Sequence, residues 1–266
     1  MNDLTIRQNE IISIARQQGR VNVDDLALRF DVTPQTIRKD LNDLCTLRLL
    51  NRVHGGAIIA SGVENLAYEA RRLIAAEEKR AIGAAAAALV PNKSSLFINI
   101  GTTTEEVARA LAQHEGLLVI TNNLNVALSL YPNPRIEVIV AGGPVRRSDG
   151  AVVGSAAVDL IRQFKVDTAV IGASAIDEDG SLLDFDYREV RVSQAIIENA
   201  RRVVLVADAT KLERTAPVRI AHLSQIQVFV TDRLPSPRLR TICSDHGVQL
   251  IEVRPDAAAE GSSGEA

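Results

Sequence analysis

Seven short runs rich in Val, Ile and Leu set the limits on what this chain can fold into: residues 96–100, 117–121, 136–140, 168–172, 203–206, 228–231 and 248–253. Helix-like segments separate them. Runs of this kind predict strands buried on both faces, and strands spaced by helices predict a largely parallel sheet, so the reading is an α/β domain. Such sheets receive ligands outside the carboxyl ends of their strands. The residues that follow each run are therefore the place to look for chemistry.

Those tails are polar or glycine-rich. The first is Gly101, Thr102, Thr103, Thr104, Glu105 and Glu106 at the start of a helix. Free backbone N–H groups, three hydroxyls and a glycine would let a phosphate approach closely there. Ordinary capping by Thr102 or Thr103, with the glutamates favouring the helix dipole, explains the same residues. The second tail holds Asn122 and Asn123, the third Gly142 and Gly143 with Arg146 and Arg147 close behind, and the fifth Asp208 and Lys211. Amides, guanidinium and ammonium groups suit hydroxyls and phosphate oxygens, though each alone is equally a turn former or a solvated surface group. Gathered on one rim, they point to a small anionic ligand. The fourth tail runs into Asp177, Glu178, Asp179 and Gly180, which lacks the spaced carboxylates and final Glu of a calcium loop and reads as a turn. No run opens a Walker or dinucleotide-binding loop, so neither ATP, NAD nor any other cofactor is expected.

The first 57 residues follow another pattern. Thr33 can accept from the free N–H groups of a helix and Pro34 suits its first position, so a helix begins there. At about 100° per residue, Ile37, Leu41 and Leu44 share one face, which turns Gln35, Lys39 and Asn42 outward with Thr36 and Arg38 on the flanks. Arg and Lys can donate to guanine or phosphate, Gln and Asn can pair with adenine, and Thr can meet a phosphate or a thymine methyl. Upstream, Ile6, Ile11, Ile14 and Ala15 mark a first helix and Val23, Leu26, Ala27 and Phe30 a second, joined to Pro34 by a short turn. Downstream, Leu49, Leu50, Val53 and Ala57 flank Gly55-Gly56 and predict a two-stranded wing that sets Arg52 and His54 beside a nucleic-acid backbone. This is winged helix-turn-helix spacing; a three-helix domain with a solvated charged face is the plainer alternative.

Composition adds boundaries. With 46% hydrophobic residues the chain supports real cores. It has no apolar run near the ~18 residues that span a bilayer and no signal-like start, so no membrane association is expected and the protein is expected in the cytoplasm. Cys45 and Cys243 are too few and too far apart for a disulfide framework or a zinc site, and they read as buried thiols. Residues 1–56 carry eight Lys/Arg and seven Asp/Glu, net +1, leaving 22 against 26, net −4, for the other 210. DNA affinity must then come from one local face, which alone binds weakly at physiological salt. Two or more copies, as a dimer or tetramer, are expected. Residues 58–76 read as a linker and 77–253 as the second domain, which opens with an Ala-rich, closely packed helix over 77–89. Residues 254–266 read as a disordered tail.

The run Thr33-Pro34-Gln35-Thr36-Ile37-Arg38-Lys39-Asp40-Leu41, with His54-Gly55-Gly56-Ala57 behind it, resembles the DNA-binding end of the DeoR, or deoxyribose-repressor, type of bacterial transcription regulators. Lys39 stands where that family often has a second Arg, and Asn99 where many members have Asp. Residues 100–103, 119–126, 141–143 and 208–211 resemble the family's sensor domain, whose fold is related to ribose-5-phosphate isomerase. Residues 180–191 and 195–199 resemble the members that govern glycerol 3-phosphate use. The resemblance implies a repressor that leaves its operator when a phosphorylated metabolite, glycerol 3-phosphate or a related compound, binds. Gly101, Thr102, Thr103, Thr104 and Lys211 would then meet the phosphate. Asn122, Asn123, Gly142, Gly143, Arg147 or Glu189 would meet the rest of the ligand. The rival is a sugar-phosphate isomerase, which needs a carboxylate base and leaves the helix-turn-helix without a task. The repressor reading requires Gln35, Arg38 and Lys39 on the outside and an open rim beside Thr102.

Overall fold

The computed structural model describes residues 4–18, 20–47, 49–53, 55–59 and 68–254, in two compact units, 1–76 and 77–266. In the first unit the order is α1 (Ile6–Gln18), β1 (Arg20–Asn22), α2 (Val23–Phe30), α3 (Pro34–Thr46), β2 (Leu50–Val53), β3 (Gly56–Ile59) and α4 (Tyr68–Leu73). Ile11, Ile14 and Ala15 of α1, Val23 and Leu26 of α2, and Ile37, Leu41 and Leu44 of α3 are buried together. Ile6 is not among them: it is the first residue of α1 and is 89% exposed. Ile12 is buried in the core as well.

Two further differences from the sequence reading concern strands and the linker. β1 pairs antiparallel with β3, so the wing has three strands in the order β1-β3-β2. Three residues are too few to show a period, which is why β1 was not legible. Gly55 turns the hairpin at φ +75°, and at Gly56 a Cβ would stand 2.0 Å from the Val21 carbonyl oxygen, so each glycine has its own reason. Residues 58 and 59 belong to β3, residues 60–67 lie outside the described residues, and α4 occupies 68–73. Ile74 is buried in the first unit's core, so the end of the expected linker packs as part of that unit.

The second unit continues α5 (Ala76–Ala87), β4 (Ser95–Ile98), α6 (Thr102–Ala110), β5 (Leu117–Thr121), α7 (Leu124–Leu130), β6 (Ile136–Val140), α8 (Ser155–Ile161) and β7 (Val166–Ile171). Then come β8 (Ala175–Ile176), β9 (Ser181–Asp184), α9 (Tyr187–Glu198), β10 (Ala200–Val206), β11 (Val218–His222), β12 (Val228–Thr231), α10 (Pro237–Asp245) and β13 (Gln249–Glu252). All seven apolar runs are strands of one parallel sheet, ordered β13-β12-β10-β7-β4-β5-β6. Leu96 and Ile98 of β4 pack on one face with Ile82 of α5, Val107 of α6 and Val126 of α7. Phe97 faces the other way, with Ile161 of α8, Val190 of α9 and Leu239 of α10. Helices thus cover both faces, as unbroken apolar strands require. The exceptions are the two edge strands, β6 with Glu137 and Val140 exposed and β13 with Gln249 and Glu252 exposed. A second, antiparallel sheet of order β11-β9-β8 was not legible, since β8 has two residues. The acidic run 177–180 is the turn of its β8–β9 hairpin. Among the described residues no helix is long and apolar enough to cross a membrane.

Candidate functional site

The outer face of α3 is built from its cap. Thr33, extended at φ −70° and ψ 149°, accepts from the Thr36 N–H at 3.2 Å, and the two hydroxyls bond each other at 2.9 Å. Both threonines are therefore occupied in starting the helix. Two residues before that cap, Asp31 sits in the left-handed region at φ 51° and closes α2, a conformation Asp tolerates better than most. From there Gln35, Arg38, Lys39 and Asn42 are all exposed on one side, and Arg52 is exposed on β2. His54 lies outside the described residues. Asp40 turns inward instead: it is 5% exposed and accepts from Arg7 Nε at 2.6 Å, so its charge is matched inside the unit.

At the sheet rim the β4–α6 loop is held by its own side chains. Gly101 adopts φ +140°, open only to glycine, and the Thr104 hydroxyl shares its proton between the carbonyls of Asn99 and Gly101, each at 2.8 Å. Thr104 braces the loop and has no donor left. Asn99 Nδ2 donates to Ser193 Oγ at 2.8 Å, tying the loop to α9. No hydrogen bond engages the Thr103 hydroxyl among the described residues, so it remains available. Asn123 caps α7 through the Asn125 and Val126 N–H groups and donates to buried Glu105 at 3.3 Å. Asn122 donates to the Val152 carbonyl at 3.2 Å, and its buried Oδ1 has no hydrogen-bond partner.

Across the rim, β10 delivers Asp208, whose Oδ1 accepts from the N–H and hydroxyl of Thr210 and whose buried Oδ2 has no hydrogen bond. Burial opposes its ionisation, but Lys211 and Lys79 outweigh that and hold the carboxyl below its usual range. Lys211 and Lys79 are 8% and 2% exposed. Lys79, from the first turn of α5, escaped the sequence reading because a lysine in an Ala-rich helix looks like a solvated one. Gly172, just after β7, adjoins both the β4–α6 loop and β10: a Cβ there would stand 3.7 Å from Thr104 Cγ2 and 3.9 Å from the Val206 carbonyl oxygen.

The third tail behaves differently. Gly142, Gly143 and Arg147 are exposed, whereas Arg146 reaches Asp149 Oδ2 at 2.6 Å, Glu189 Oε2 at 2.7 Å and Asp186 Oδ2 at 3.2 Å. Burial opposes the Arg146 charge, but Asp149 and Glu189 raise its pKa well above the ordinary guanidinium value. Glu189 is pushed up to about 8, by burial first and by nearby Asp184, with Arg146 pulling the other way. Glu189 is thus bound up with Arg146, one helical turn from the Ser193 that holds Asn99.

The structure keeps Gln35, Arg38 and Lys39 outside, as the repressor reading requires. The rim beside Thr102 is nearly shut, against expectation: Thr102 and Thr103 are 6% and 4% exposed, and Thr104, Asn122 and Asn123 are buried. The loop folds back on itself through Thr104, and the Asn123–Glu105 bond walls one side.

Residues 7–63 match the family of DeoR-like helix-turn-helix domains, and residues 74–233 match the family of DeoR C terminal sensor domains. The chain is 45% identical over 246 residues to the glycerol-3-phosphate regulon repressor of Escherichia coli (strain K12), covering 92% of this chain and 98% of that one. For the repressor of the same name in Haemophilus influenzae the identity is 46% over 231 residues, with 87% and 90% covered. The transcriptional repressor CsqR of E. coli is 40% identical over 251 residues, with 94% and 96% covered. Among solved structures, ribose 5-phosphate isomerase A of Methanocaldococcus jannaschii overlaps 52% of this chain and 55% of its own at 16% identity and TM-score 0.39, too distant to inform function.

Proposed function

This chain belongs to the DeoR family of helix-turn-helix transcriptional repressors, and from that premise we propose that it silences glycerol and glycerol 3-phosphate utilisation genes and releases its operators when glycerol 3-phosphate binds. The observation that carries the first half is the outer face of α3, where two cations and two amides stand in solvent on a helix fixed by its cap. Such side chains read base edges in a major groove and grip phosphates. Two or more copies on a two-fold related operator supply the phosphate contacts that one face lacks.

Supporting the second half are two buried lysines around Asp208 at the end of β10, together with the unengaged Thr103 hydroxyl at the start of α6. A phosphate suits ammonium groups and a helix N-terminus. The carbon-borne hydroxyls are O–H donors, which suits Oδ1 of Asn122 or Oδ2 of Asp208, neither of which accepts a hydrogen bond in the fold. Thr104 and Asn123 hold the loop, and Glu189 acts through Arg146. Because the rim is nearly shut, ligand entry requires the rim to open, and that movement is the step that alters how the copies pair.

The test is a gel-shift titration of operator duplex with glycerol 3-phosphate, ribose 5-phosphate, glycerol and inorganic phosphate. Release by glycerol 3-phosphate at the lowest concentration is expected. Tight binding of glycerol 3-phosphate with operator affinity unchanged would refute the coupling. Turnover of ribose 5-phosphate would refute the non-enzymatic assignment.

A further inference from the structure

We propose that Arg7 of α1 is a DNA-backbone contact of the operator face and that Asp40 of α3 aims it; this rests on the operator reading above. Arg7 Nε donates to Asp40 Oδ2 at 2.6 Å, while Gln8 Nε2 reaches Asp40 Oδ1 at 3.4 Å. Gln8 is itself fixed by reciprocal bonds with Thr5, 3.0 Å from the Thr5 N–H to Oε1 and 3.1 Å from the Gln8 N–H to the Thr5 hydroxyl. The first turn of α1 is therefore locked to the middle of α3.

Only one edge of the guanidinium is used. Among the described residues neither Nη of Arg7 makes a hydrogen bond within the fold, and the side chain keeps 33% of its surface in solvent. Arg7 borders the same hollow as Gln35, Arg38, Lys39 and Asn42. A planar fork can hold a carboxylate on one edge and a phosphate on the next, and an Arg already fixed by its carboxylate loses less freedom on binding than a mobile one. Asp40 gains as well: without Arg7, its buried carboxylate would be left without a matching charge. Sequence reading passed over Arg7 because its partner lies 33 positions away.

The experiment measures duplex affinity of the full chain against salt concentration for wild type, Arg7→Ala and the double variant Arg7→Ala/Asp40→Asn. The double variant matters because Arg7→Ala alone strands a buried charge, whereas Asp40→Asn keeps the shape and the bond to Gln8. The expected result for the double variant is an equal loss, on the order of tenfold, for operator and unrelated duplex, with a salt slope shallower by about 0.9 per protomer. If the double variant binds with the wild-type slope and affinity, Arg7 is only a strut and the inference is overturned. A wild-type chain with no salt-dependent duplex binding removes the operator reading itself, and this inference with it.

Discussion

Glu189 illustrates how far burial can move a single group. Its ordinary pKa of 4.5 rises to about 8 in the fold, first through loss of solvent and then through Asp184, despite the 2.7 Å contact with Arg146. Below about pH 4.5 both folded and unfolded chains hold this proton. Between there and about pH 8 the unfolded chain sheds it while the folded chain keeps it, so stability falls as pH rises. Unfolding midpoints in denaturant at pH 5, 6, 7 and 8 should show that decline in wild type, at up to about 1.4 kcal/mol per unit of pH. In Glu189→Gln the decline should be smaller; an identical decline in both chains would exclude Glu189 as its source. Residues that act on their own helix were legible without the fold: Thr33 caps α3, and Ile37, Leu41 and Leu44 turn inward. Arg146, Lys79 and Asp40 were not, because their roles depend on residues far along the chain.

At the scale of elements, two helices approach closely at Gly83 of α5. A Cβ there would lie 2.7 Å from the backbone carbon and 2.8 Å from the Cβ of Glu106 in α6, so the two helices touch through a missing side chain. Gly83→Ala adds about 1 kcal/mol of helix propensity but overpacks a backbone contact at a cost of about 1–3 kcal/mol. The net expected effect is destabilisation, read as a lower midpoint in chemical denaturation. Since α6 carries the Thr102–Thr104 loop at its start, ligand affinity should weaken in the same variant, as calorimetric titration with glycerol 3-phosphate would detect. A more stable variant with unchanged affinity would show that the helices can part without consequence. The Ala-rich composition of residues 77–89 made close helix packing legible, and the seven apolar runs made the parallel sheet legible, because both signals repeat over several residues. β1 and the pairing of β9 with β11 were hidden because these short strands take their partners from distant segments, and β8 because two residues show no period.

For the whole molecule the central prediction is a division of labour. Arg38→Ala should weaken operator binding by roughly 1–3 kcal/mol and leave ligand affinity alone, and Thr103→Val should weaken ligand binding and spare the operator in the absence of ligand. Paired gel-shift and calorimetric measurements on both variants check this; exchanged effects would reject it. Moving such a switch from 1:99 to 99:1 demands a ligand preference of about 10⁴-fold between the two states, so Thr103→Val should also demand more ligand for release. What the sequence determined by itself is whatever local physics governs: a capped helix with a cationic outer face, an apolar period that sends strands inside, and the polar tails that end them. Tertiary structure alone decided which of those polar groups stay available. Thr104 and Asn123 are consumed in holding loops, Asn122 and Asp208 keep an oxygen that accepts no hydrogen bond, and Lys79 joins Lys211 from another helix. The reason is that hydrogen bonds and ion pairs across the fold depend on distances in space, which a linear order of residues does not specify.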